Sequence, residues 1–182
     1  MIKNNIRRES YLKFLNTWKN RDLIKVLSGV RRSGKSTLLA MFQQDLKEQG
    51  VQDENIIAIN FEYMEFEELT DYRKLHDYVL SKVDKNKKNY VFLDEIQHVQ
   101  NFEKVVDSLY IRDYIDLYIT GSNAFFLSGE LATLLTGRYI EQHVLPLSFQ
   151  EFKQWHTENN PTIQQLSNRD LYAMYTRSSF PY

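Results

Sequence analysis

Residues 29–37 read Gly-Val-Arg-Arg-Ser-Gly-Lys-Ser-Thr: a glycine, four residues, then Gly-Lys-Ser. That order suits the capture of a polyphosphate. Gly29 permits a tight turn, and Gly34 lets main chain approach phosphate oxygens with no Cβ between them. Backbone N–H groups across Val30, Arg31, Arg32 and Ser33, with a helix N-terminus behind them, would supply a fixed positive potential. Lys35 is long enough to reach β- and γ-phosphates, the Ser36 hydroxyl suits Mg²⁺, and Thr37 offers a further hydroxyl. Arg31 and Arg32 suit either phosphate or an adjacent acidic chain. A chance match in a chain of this length is on the order of 0.006.

A second constellation lies at residues 90–95, YVFLDE, an apolar run that ends in two carboxylates. Asp94 is placed to hold Mg²⁺, and Glu95 to orient and polarise an attacking water. Acidic residues at a strand end are common on their own; beside a phosphate loop they read as a Walker B strand following a Walker A loop. Asp94-Glu-Ile-Gln97 is not the Asp-x-x-Gly of a GTPase, and Asn86-Lys-Lys-Asn89 is not the Asn-Lys-x-Asp that reads guanine. ATP is therefore favoured over GTP.

Three further polar residues admit two readings each. Asn123, with its neighbour Ser122, follows IDLYIT and is either a hydrogen-bond donor to the γ-phosphate or the water, or a turn residue. Asn60 stands in the apolar run IIAINFE. It is either a switch that contacts Glu95 and holds it inactive, or an amide satisfied by backbone. Arg138, in LLTGRYIEQ, is either a finger that stabilises transition-state charge in a neighbouring subunit or a solvated junction residue.

These residues need elements to hold them. Residues 6–19 have helical spacing, 23–28 form a short strand, and STLLAMFQQDLKEQ is a helix stopped by Gly50. Further strands are expected at 55–62, 90–95, 115–123 and 139–147, the last closed by Pro146. Helices are expected over EELTDYRKLHDYVLSKV, VQNFEKVVDSLYIRD, 125–135, SFQEFKQW and roughly 168–177. Alternating strands and helices give an α/β fold with a mostly parallel sheet, and strands rich in Ile, Val and Leu suit a sheet covered on both faces.

Composition narrows the classes. At 182 residues one packed domain is expected, and the 23 basic and 24 acidic residues leave no basic field of the kind a dedicated nucleic-acid binder carries. Cysteine is absent, which excludes disulfides, a cysteine nucleophile and thiolate metal sites. The four histidines show no metal-ligand spacing. No apolar run approaches the roughly 20 residues of a membrane span, and MIKNNIRRESYLKF lacks the features of a secretory signal. A cytoplasmic protein with no membrane partner is expected.

Taken together, GVRRSGKSTLL, INFE, FLDEIQ, YITGSNA, LLTGRY and LPLSFQEF resemble the AAA+ superfamily, and more narrowly a group of prokaryotic AAA-type ATPases. The resemblance runs from about Ile6 to Phe152. It implies a three-layer α/β/α P-loop NTPase with a five-stranded parallel sheet in the order 5-1-4-3-2. It also implies ATP with Mg²⁺, a sensor role for Asn123 and a finger role for Arg138. The expected organisation is an N-terminal helix (1–22), a nucleotide-binding core (23–152) and the start of a helical lid (153–182). Because such chains continue into a lid and a further domain, a C-terminally truncated chain with little or no lid is expected. Ser178-Ser179-Phe-Pro stands where Gly-Gly-Phe-Pro would be, and no sensor-2 arginine is assigned. The expected function is Mg-ATP hydrolysis driving conformational change in a DNA- or protein-directed assembly, with homo-oligomerisation through Arg138. The alternative is a nucleotide-binding switch without productive hydrolysis.

Overall fold

A computed structural model describes residues 6–122, 135, 137–159 and 166–177. Five strands, β1 (Ile24–Gly29), β2 (Ile56–Asn60), β3 (Asn89–Asp94), β4 (Ile115–Ser122) and β5 (Tyr139–His143), form one sheet in the order β2-β3-β4-β1-β5. Every neighbouring pair is parallel. This is the expected 5-1-4-3-2 arrangement of a P-loop NTPase, read from the opposite edge.

The period-two alternation of the strands builds two cores. Val91, Leu93, Leu117 and Ile119 face one side, where they meet Leu75 and Val79 of α3 (Tyr72–Lys82) and Val105, Val106 and Leu109 of α4 (Phe102–Tyr110). Tyr90, Phe92 and Tyr118 face the other side, against Leu12 and Leu15 of α1 (Glu9–Trp18) and Leu38, Phe42 and Leu46 of α2 (Lys35–Glu48). Phe92 and Tyr118 stack with ring centroids 4.8 Å apart. Each such buried ring or aliphatic side chain contributes about 1.5–3 kcal/mol, so both helical layers are fixed by the sheet.

Two more helices follow the sheet, α5 (Phe149–Asn159) and α6 (Asn168–Tyr175). They meet through aromatic edges, with Phe149 5.3 Å from Tyr172 and Phe152 5.5 Å from Tyr175. No helix among the described residues is long and apolar enough to cross a membrane.

Three local expectations change. The helix expected over residues 67–83 is split: Met64–Thr70 is a 3-10 turn, and α3 begins only after Asp71, whose carboxylate accepts the N–H groups of Arg73 and Lys74. An N-cap of this kind requires non-helical backbone at the capping residue. The last strand ends at His143, not 147. Beyond it the carbonyls of Leu145 and Pro146 accept from the Arg8 guanidinium in place of a neighbouring strand. Of the helix expected at 125–135, only Leu135 falls among the described residues.

Candidate functional site

The sheet order brings the C-terminal ends of β1, β3 and β4 side by side. Gly29 is in register with Ser122 at the end of β4, while Asn60 is in register with Asp94 at the end of β3. In an open parallel sheet that edge, where the strand order reverses, is where ligands bind.

The loop leaves β1 at Gly29, where a Cβ would lie 2.3 Å from the carbonyl oxygen of Val144. Any side chain there would push the loop off its neighbour. Gly34 adopts φ +96°, a left-handed conformation suited to glycine, and caps α2 with no side-chain bond to the helix N–H groups. The leading N–H groups of α2 are thus left to a ligand, with the helix dipole behind them. Ser33 is fully buried, and its Oγ has no hydrogen-bond partner among the described residues.

Lys35, the first residue of α2, is 3% exposed. Its Nζ donates to the carbonyls of Gly29 and Val30, each at 3.3 Å, and lies 3.4 Å from Glu95 Oε1. The Ser36 hydroxyl lies close enough to Asp94 to favour its charged form. Arg31 is exposed and pairs with Glu62 at 3.0 Å. A cleft of about 390 Å³ is lined by Arg31, Arg32, Gly34, Lys35, Ser36, Thr37, Glu62 and Glu95. An adjoining space of about 470 Å³ shares Arg31, Glu62 and Glu95 and reaches Gln97, His98 and Ser122.

The two carboxylates of β3 occupy different surroundings. Asp94 ends the ladder, 6% exposed, and receives the Thr120 hydroxyl and, at 2.9 Å, Asn60 Nδ2. Burial pushes its carboxyl above the usual aspartate range, against the opposing effect of the Thr120 and Ser36 hydroxyls. Glu95 lies one residue past the ladder, at φ +58° and ψ +50°. Its N–H donates to Thr120 Oγ1 at 2.9 Å, and its carboxylate accepts from Gln97 Nε2. Left-handed backbone is uncommon for a residue with a Cβ and costs of order 1–3 kcal/mol, so the turn persists because its neighbours hold it.

Most of the residues singled out in the sequence therefore converge on one cleft. Asn60 is the correction. It bonds Asp94 and the N–H of Glu62, not Glu95. The cause is register: Asn60 stands opposite Asp94, whereas Glu95 has already turned away from the sheet. Asn123 lies outside the described residues. Arg138 stands apart, before β5, where its carbonyl accepts from Ile24 N and its guanidinium pairs with Asp107 at 2.6 Å. The start of β1 is five residues from Gly29, or about 16 Å along the strand, so Arg138 lies at the opposite end of the sheet from the loop of its own chain. Sequence reasoning missed Thr120 and Gln97. The one signal for Thr120 was a hydroxyl near the C-terminal end of a buried strand.

The donor set fits a magnesium nucleotide. A helix-leading ammonium, a hydroxyl beside a buried carboxylate and main-chain N–H groups without a side-chain cap are the chemistry that a triphosphate and a hard cation require. Among the described residues no cluster of three or more His, Cys, Asp or Glu could hold a metal without such a ligand.

The family described as "AAA domain" matches residues 21–153. An uncharacterized protein of Haemophilus influenzae is 44% identical across the whole of this chain and 45% of its own length. The uncharacterized protein MJ1544 of Methanocaldococcus jannaschii is 38% identical over 75% of this chain and 29% of its own. The chain thus spans less than half the length of either relative. In fold it is similar to the Walker-type ATPase PABY2304 of Pyrococcus abyssi, with a TM-score of 0.62, 17% identity, and 94% of this chain and 63% of that one covered.

Proposed function

The chain belongs to the AAA domain family, and from that premise we propose that it binds Mg-ATP and hydrolyses it to ADP and phosphate. The cycle would drive conformational change in a DNA- or protein-directed assembly. The observation that carries this reading is the convergence on one cleft of the Lys35 ammonium, the Ser36–Asp94 pair and the Glu95 carboxylate.

In this reading the main chain of residues 29–34 and the Lys35 ammonium bind and orient the phosphates. Ser36 and Asp94 would hold Mg²⁺, which when bound supplies positive charge to the phosphate oxygens. Glu95 orients a water and takes its proton as the oxygen attacks the γ-phosphorus, while the bond to the β–γ bridging oxygen breaks and ADP leaves. Lys35 must first exchange Glu95 for phosphate. Asn123 acts as the polar group beside the γ-phosphate, and Arg138 reaches a neighbouring subunit's site in a homo-oligomer. Residues 1–22, 23–152 and 153–182 act as N-terminal helix, nucleotide core and the beginning of a helical unit. The protein works in the cytoplasm.

A second reading, a nucleotide-binding switch without productive hydrolysis, is favoured by the contacts of Glu95 with Lys35 and Gln97, which engage the base. Phosphate release measured against protein concentration separates the two. The hydrolase reading expects release that rises with concentration and falls roughly 10²–10⁴-fold in Glu95→Gln with ATP binding intact. Negligible release at every concentration from a wild type that binds ATP would leave the switch.

A further inference from the structure

Arg8 is 6% exposed although it precedes the first helix, and every donor direction of its guanidinium is used. Nε and Nη2 grip the Glu151 carboxylate of α5 at 2.8 and 3.3 Å. Nη1 donates to the carbonyl of Ser33, inside the phosphate loop, at 3.3 Å and to that of Leu145 at 2.8 Å. Nη2 also reaches the Pro146 carbonyl and the Tyr11 hydroxyl, each at 3.4 Å. The cation lies 4.4 Å above the Tyr11 ring.

The segment on which it converges touches the loop a second time. Val144 N donates to Ser28 O at 2.7 Å, and the Val144 carbonyl fills the space where Gly29 lacks a Cβ. Both ends of the loop, Gly29 and Ser33, therefore bear on the stretch that leads into α5. Arg7 bonds both oxygens of Asp45 on α2, at 2.9 and 2.8 Å, which anchors the base from which Arg8 extends.

We propose that Arg8 is a positioning residue that joins the phosphate loop to α5, so that nucleotide binding in the loop is relayed through the Ser33 carbonyl and the Glu151 carboxylate to the C-terminal helices. This rests on the nucleotide reading above. A planar fork with five N–H donors meets carbonyls and a carboxylate at once, which an ammonium does not. The loop and α5 have one guanidinium in common, so a shift in either changes the bonds available to the other.

The chain has two tryptophans, Trp18 on α1 and Trp155 on α5, four residues beyond Glu151. Trp18→Phe leaves Trp155 as the only reporter. Titration of Trp18→Phe with Mg-ATP should change Trp155 emission. Adding Arg8→Lys or Glu151→Gln should abolish that change and weaken ATP binding about fivefold or more, with the thermal transition of each variant still cooperative. Glu151→Gln carries the test if Arg8→Lys does not fold. Unaltered affinity and an unaltered Trp155 response in these variants would overturn the proposal, as would Trp18→Phe binding ATP with silent Trp155. A Trp18→Phe protein that binds no ATP, with the wild type equally inert, would instead remove the nucleotide reading itself.

Discussion

The N–H of Glu95 donates to the hydroxyl of Thr120 at 2.9 Å, and the same hydroxyl donates to Asp94. One fully buried oxygen on β4 thus fixes both carboxylates at the end of β3 and stabilises left-handed backbone at Glu95. Thr120→Val keeps the shape but leaves the Glu95 N–H unsatisfied, a cost of about 1–3 kcal/mol. Chemical denaturation should show that loss, and phosphate release should fall more than ATP affinity. Equal losses in both would deny Thr120 its positioning role.

Asp94 is held at a cost. Burial raises its pKa, so the folded state favours the protonated carboxyl. Stability from this group is present below the ordinary aspartate range and is lost as pH rises through the raised folded-state value. Ionisation of this carboxyl therefore works against the fold. Asp94→Asn should therefore raise stability by about 0.5–2 kcal/mol, read from the thermal midpoint without nucleotide, while Mg²⁺-dependent turnover disappears. Mn²⁺ binding in the presence of ATP should weaken on acidification above the pH at which an ordinary aspartate titrates.

At the opposite end of the sheet Lys25 and Asp116 form a fully buried ion pair, completed by Arg21 O, Asn20 N and the Tyr118 hydroxyl. Desolvation lowers the Lys25 pKa against the pull of Asp116. Lys25→Met alone would leave a buried carboxylate without its cation and should cost about 3–5 kcal/mol in urea. Lys25→Met with Asp116→Leu should recover most of it. ATP affinity of the folded protein should be the same in the double variant, because the pair lies away from the loop.

Arg138 and Asp107 are each nearly half exposed, so their ion pair contributes at most about 1 kcal/mol. Arg138→Ala should leave the thermal midpoint nearly unchanged and remove the concentration-dependent part of phosphate release. Asp107→Asn frees the guanidinium and should preserve or raise that part. A loss of activity that is independent of protein concentration would rule out a role between subunits.

What the sequence disclosed was local. The residues from Gly29 to Thr37 carry their chemistry in their order, and apolar runs such as YVFLDE gave strands suited to a sheet covered on both faces. The sheet order followed from the resemblance, since periodicity cannot tell which strands are neighbours. Asn60 had two readings, a contact with Glu95 or an amide satisfied by backbone, because the residues alone do not reveal the register of adjacent strand ends. Only the β2–β3 register, with the left-handed turn at Glu95, gives it to Asp94. Arg8 was illegible for the same reason. Apart from Tyr11, its partners lie at residues 33, 145, 146 and 151, a convergence set by tertiary packing and not by spacing.

The most direct measurement is calorimetric titration of the chain with Mg-ATP, alongside Lys35→Ala. The account predicts saturable micromolar binding by the wild type and its loss in the variant, because the loop would then lack the ammonium that meets the phosphates. Equal binding by both proteins, or none by a folded wild type, would contradict it.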